Sequence, residues 1–119
     1  MAVATASEAT VEPGLTIRHA SAPAFLALKW AAHHDRGRDE PLHSDDLEDI
    51  LALLASRPSA LGEIAGAPAN LRAYLKDQAA AFLADPNAED LLAGHLNNAQ
   101  SPAHTITAVR DVLIRITRL

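Results

Sequence analysis

Residues 23–54 read PAFLALKWAAHHDRGRDEPLHSDDLEDILALL, and this stretch decides the fold. Two helical patterns of opposite character flank a loop that a helix does not cross. In residues 23–34 the single formal charge is Lys29; Phe25, Leu26, Trp30 and His33 share one face, with Leu28 and Ala32 beside it. A helix apolar around most of its circumference is expected to be buried on more than one side. Ser21 is its N-cap candidate, and Gly37 marks the loop beyond its end. Residues 35–43, DRGRDEPLH, are charged and include Gly37 and Pro41, so they should form an exposed connection. Ser44 or Asp45 then caps a second helix, with Asp45 and Glu48 at capping-box spacing. Asp45, Asp46, Glu48 and Asp49 crowd its start, where the helix dipole favours negative charge. Its apolar stripe is Leu47, Ile50, Leu51 and Leu54.

Outward from this stretch, SEATVE and LTIRHA flank Pro13-Gly14, a dipeptide suited to a type II turn, and a β-hairpin is expected over residues 7–20. Two strands alone are marginal in water, so the hairpin would lean on the helices or on a sheet from another chain. Downstream, Arg57-Pro58 opens a short helix that Gly66 ends, and Ala67-Pro68 opens a fourth. The fourth carries Leu71, Tyr74, Leu75, Phe82 and Leu83 at helical spacing, with Arg72, Lys76 and Asp77 outward. Asp85-Pro86 starts a fifth helix reaching about His95. After the polar segment LNNAQSP, a sixth helix buries Ile106, Val109, Leu113 and Ile116. The expected fold is mainly α, a single domain: a tail and short N-terminal β-hairpin over residues 1–22, then a bundle of five or six helices over residues 23–119.

Composition narrows the function. The 119 residues carry 10 basic and 15 acidic side chains, a formal net charge of -5, which argues against duplex nucleic acid as the main partner. There is no cysteine, so disulfides and thiolate metal sites are excluded and a reducing cytoplasm is the expected setting. Residues 1–10 lack a basic segment followed by an apolar core, and no apolar run approaches the ~20 residues that span a bilayer. Hydrophobic residues make up 49% and aromatics only 3%, which favours close packing of Ala- and Leu-rich helices.

The chemistry-bearing residues each admit two readings. Lys29 is either a snorkelling side chain whose stem covers core surface, or a cation placed to meet an anion such as phosphate. Asp45, Asp46 and Asp49 are either ordinary helix-start acids or carboxylates able to hold a divalent cation. His33, His34, Asp35, His43, Asp45 and Asp46 superficially suit a helical metal-dependent phosphohydrolase. However, adjacent helical residues point about 100° apart, so His33 and His34 do not converge on one metal. None of the five glycines forms a phosphate-loop or nucleophile-elbow pattern. Arg36 and Arg38, beside Gly37, could fork onto a phosphate or simply be solvated.

The succession GLTIR, APAFLALKWAAHHDRGRDEP, HSDDLEDILALLASRP, EIAGAPANLRAYL and GHL, over residues 13–96, resembles a known family. It is similar to the C-terminal helical part of bacterial AbiEii-type nucleotidyltransferase-like proteins of abortive-infection and toxin-antitoxin systems. The resemblance implies that Lys29 contacts nucleotide phosphates and that Asp46 orients Lys29 or other polar groups of the site. Asp49 completes the D-x-x-D pattern, and Arg36 and Arg38 join as nucleotide-binding candidates. The family's Gly-Ser motif is missing, and its metal-binding acids have no counterpart before Pro13. What is implied is therefore a truncated or split nucleotidyltransferase-like protein, inactive alone, that keeps the helical half of a nucleotide-binding site. It has no metal site; Mg²⁺ and a nucleoside triphosphate enter only with a catalytic core. The expected partners are a separate core chain or a cognate antitoxin. Homo-oligomers are also expected, because the hairpin edge and the apolar face around Phe25 and Trp30 would lack their cover. Two alternatives stand beside it: a non-enzymatic interaction module, and a full enzyme whose start is mis-assigned.

Overall fold

The computed structural model describes residues 21–36 and 39–119. They form α1 (Ala22–Arg36), a 3-10 turn (Pro41–His43), α2 (Asp45–Ser56), α3 (Ala60–Ala65), α4 (Ala69–Ala84), α5 (Ala88–Leu96) and α6 (Pro102–Thr117). The chain is thus a helical bundle, and no strand occurs among the described residues. The hairpin expected over residues 7–20 lies outside them.

Local chemistry sets the helix ends. At α2, Ser44 is the N-cap: its Oγ accepts the Leu47 N–H at 3.1 Å, and Asp45, Asp46 and Glu48 fill the first turn. Because the cap is Ser44, the third helical position is Leu47, and the capping box expected between Asp45 and Glu48 does not form. The short α3 begins at Ala60 rather than at Arg57-Pro58, and Gly66 follows its last residue. Arg72, expected to point outward, is half-buried and donates to the Ala65 and Ala67 carbonyls, closing the end of α3. Before α5, the Asp85 carboxylate accepts the Asn87 N–H at 2.8 Å, an Asx turn.

Packing joins these helices into one core. α1 lies against α2, α3 and α4, while α6 packs along α4 and also touches α2, α3 and α5. Leu26, Ile50, Ile64, Leu75, Leu92 and Leu113, one from each helix, are fully buried. Burying each such side chain contributes about 1.5–3 kcal/mol relative to leaving it in water. Ile106, expected inside, is only half-buried, since the first turns of α6 project beyond the core.

Helix α1 differs most from expectation. Trp30 is 3% exposed, covered by the chain's own core, so the apolar face around it does not await a partner. The opposite side is open: Leu28 is 70% exposed and Ala31 is exposed with it. The helix is apolar nearly all round but buried on one broad side, because no element among the described residues lies over the other. No helix among the described residues is long and apolar enough to cross a membrane.

Candidate functional site

Close packing of α1 on α2 brings four of the five sequence candidates together. Asp46, the second residue of α2, is turned inward and only 4% exposed. Arg36 forks onto it, Nε donating to Oδ2 at 3.0 Å and Nη2 to Oδ1 at 3.2 Å. About two turns back on α1, Lys29 Nζ lies 3.7 Å from Asp46 Oδ1 and 2.8 Å from Asp49 Oδ2. Asp46 and Asp49, three residues apart, share one helical face, which is why a single lysine reaches both. The ammonium also sits 5.6 Å from the Phe25 ring centroid, within cation–π range. Arg38 and Gly37 lie outside the described residues.

Electrostatics follow from this geometry. The hydrogen bond from Lys29 to Asp49 holds the lysine above its ordinary pKa; burial works against it, and the charges of Asp49 and Asp46 add to it. Hydrogen bonding to Asp46 likewise raises Arg36. Asp46 is a buried carboxylate flanked by two cations at a helix N-terminus, a position in which an unpaired carboxylate would be costly. Every buried side-chain nitrogen and oxygen among the described residues has a hydrogen-bond partner.

On the other side of Asp46 a cleft of about 520 Å³ opens, lined by Arg36, Asp39, Glu40, His43, Ser44, Asp45 and Asp46. Its four carboxylates against one guanidinium make it acidic, so the cleft itself repels a bare polyphosphate. Among the described residues no three His, Asp or Glu side chains are grouped so as to hold a metal ion. The phosphohydrolase arrangement does not assemble. His33 Nδ1 pairs with Ser44 Oγ at 2.8 Å, His34 pairs with Gln78, and their rings stand 5.8 Å apart. Burial, then the neighbouring His34, hold His33 below its ordinary pKa. His43 is exposed in the 3-10 turn, which His95 fastens to α5 by donating from Nε2 to the Pro41 carbonyl at 2.8 Å.

Two contributors were missed in the sequence. Ser44 was recognised as a cap, but its second bond, to His33, joins the α2 start to α1. Glu63 on α3 was not singled out, yet its carboxylate receives the Ala22 N–H at the start of α1, together with Arg57 and Ser59. The Ser59–Glu63 spacing of four was the available signal. Comparison with protein-family models, with curated proteins and with solved structures finds no match to this chain.

Proposed function

We propose that this chain supplies the helical half of a nucleotide-binding site of the AbiEii nucleotidyltransferase type, and that the site works only once a Gly-Ser-bearing catalytic core completes it. The observation that carries this reading is the convergence of Lys29 and Arg36 on buried Asp46. Asp46 acts as a fixed anchor that holds Lys29 at the rim of the α1–α2 junction, where 30% of the lysine side chain stays open. There Lys29 contacts nucleotide phosphates, Asp46 positions it, and Arg36 locks Asp46 in place. Among the described residues no acids are grouped to hold a catalytic metal. The sequence contains no Gly-Ser, and the acids of the cleft form no ligand set among the described residues. Two-metal phosphoryl transfer needs metal-held acids and a positioned triphosphate, which the core would bring.

The test is nucleotide transfer to RNA with labelled nucleoside triphosphates and Mg²⁺, with and without a Gly-Ser-bearing nucleotidyltransferase core as a second chain. Transfer by the mixture, reduced about a hundredfold by Lys29→Ala, supports the reading. Robust transfer by this chain alone contradicts it. A cytoplasmic setting accords with the absence of cysteine.

A second reading, a non-enzymatic interaction module that self-associates or meets an antitoxin-like partner, is favoured by Leu28. That side chain is 70% exposed in mid-helix on α1, with half-buried Ala24 and exposed Ala31 in line with it. Sedimentation equilibrium tests it: association abolished by Leu28→Glu supports the module, and a strict monomer at high concentration removes it.

A further inference from the structure

The two aspartates that reach Lys29 are held differently. Asp46 is buried and held through both oxygens by the Arg36 fork, and at 3.7 Å its contact with Lys29 is an ion pair too long for a hydrogen bond. Asp49 is 46% exposed, hydrogen-bonds Lys29 at 2.8 Å, and has Lys29 as its one ion-pair partner among the described residues. Rotating Asp49 into water breaks one half-exposed pair. Displacing Asp46 would strand a carboxylate in the interior. Of the two, only Asp49 is exchangeable.

From this asymmetry we infer that Asp49 is a resident competitor for the anion on Lys29: its carboxylate occupies the place a phosphoryl oxygen takes and swings out when a polyphosphate binds. The inference rests on the nucleotide-site reading above and specifies how that site is regulated. Arg36, although 69% exposed, is held by its fork on buried Asp46, so the cation whose own partner can leave is Lys29, and Asp49 covers it. An incoming polyphosphate meets the same ammonium, over the Phe25 ring, and repels Asp49 toward solvent. The family resemblance alone would class Asp49 as a binding contributor. Contributor and competitor predict opposite signs for its neutralisation.

The probe is inorganic triphosphate without metal, titrated by calorimetry and by NMR of the backbone amides of α1 and α2, which every variant retains. Asp49→Asn is nearly isosteric at a half-exposed position and is expected to tighten binding roughly tenfold, from release of one ion pair and removal of one like charge. Adding Lys29→Ala to Asp49→Asn should abolish the gain. Unchanged, weaker or undetectable binding by Asp49→Asn overturns the competition. If Lys29→Ala alone still removes the triphosphate-induced shifts in that case, the nucleotide-site reading stands without it. A gain that survives Lys29→Ala places the anion elsewhere, and both then fall.

Discussion

Truncating Glu63 to alanine removes the acceptor that ties the start of α1 to α3. Oε1 accepts the Ala22 N–H and Arg57 Nη2, each at 3.0 Å, while Oε2 accepts Arg57 Nε at 3.0 Å and Ser59 Oγ at 2.7 Å. Ala22 is 0% exposed, and its N–H loses its acceptor once the carboxylate is gone. One stranded buried donor costs about 1–3 kcal/mol. The Arg57 pair is 39% exposed on the arginine side, and solvent screening limits it to about 1 kcal/mol or less. The expected loss is therefore about 2–3 kcal/mol. For a chain of this length that lowers the melting temperature by about 8–12 °C. Glu63→Gln keeps the shape but not the charge, and its deficit should depend on pH. Burial by itself would raise the Glu63 pKa; the Ala22 N–H, Ser59 and Arg57 reverse this and hold it below the ordinary glutamate range. A carboxylate with a depressed folded pKa contributes stability that is full above its unfolded value and lost as pH falls through the folded value. The stability gap between wild type and Glu63→Gln should thus be constant near neutrality and shrink as pH falls below the unfolded glutamate value of about 4.3. Urea unfolding at stepped pH measures both quantities. A Glu63→Ala loss under about 0.5 kcal/mol, or a Gln gap that ignores pH, would refute the reasoning.

Three further outcomes follow from the packing. Ser44→Ala removes the α2 cap and the partner of His33, and should cost about 1–2 kcal/mol by chemical denaturation. Gly62→Ala adds a methyl group where nothing lies within 4 Å, inside α3, and should stabilise by about 0.5–1 kcal/mol, seen as a higher melting temperature. Trp30→Ala should cost about 3–5 kcal/mol, whereas Leu28→Ala on the same helix should stay within about 0.5 kcal/mol; equal losses would mean the open side of α1 is covered.

Much of the fold was legible because period and punctuation agreed. Leu75 and Phe82 set the inner face of α4, Gly66 ended α3, and Ser44 announced α2. Lys29 stood out as the single formal charge in an apolar helical pattern, and the spacing of Asp46 and Asp49 placed both on one helical face. What the sequence could not convey is which face meets which helix. Asp45 and Asp46 are chemically identical neighbours, and only the docking angle of α2 on α1 turns Asp46 inward and leaves Asp45 in the cleft. The open side of α1 was hidden for the same reason: an Ala- and Leu-rich helix looks buried all round until the number of covering elements is known. The bond from Glu63 to Ala22 spans 41 residues, beyond any local pattern.

The central claim, an anchored but incomplete nucleotide site, is tested most directly by calorimetric titration of this chain with Mg²⁺-nucleoside triphosphates. The prediction is no binding tighter than roughly millimolar, about -4 kcal/mol, since Lys29 is already paired with Asp49. Micromolar binding that Lys29→Ala abolishes would contradict it, showing that the chain carries a complete site by itself.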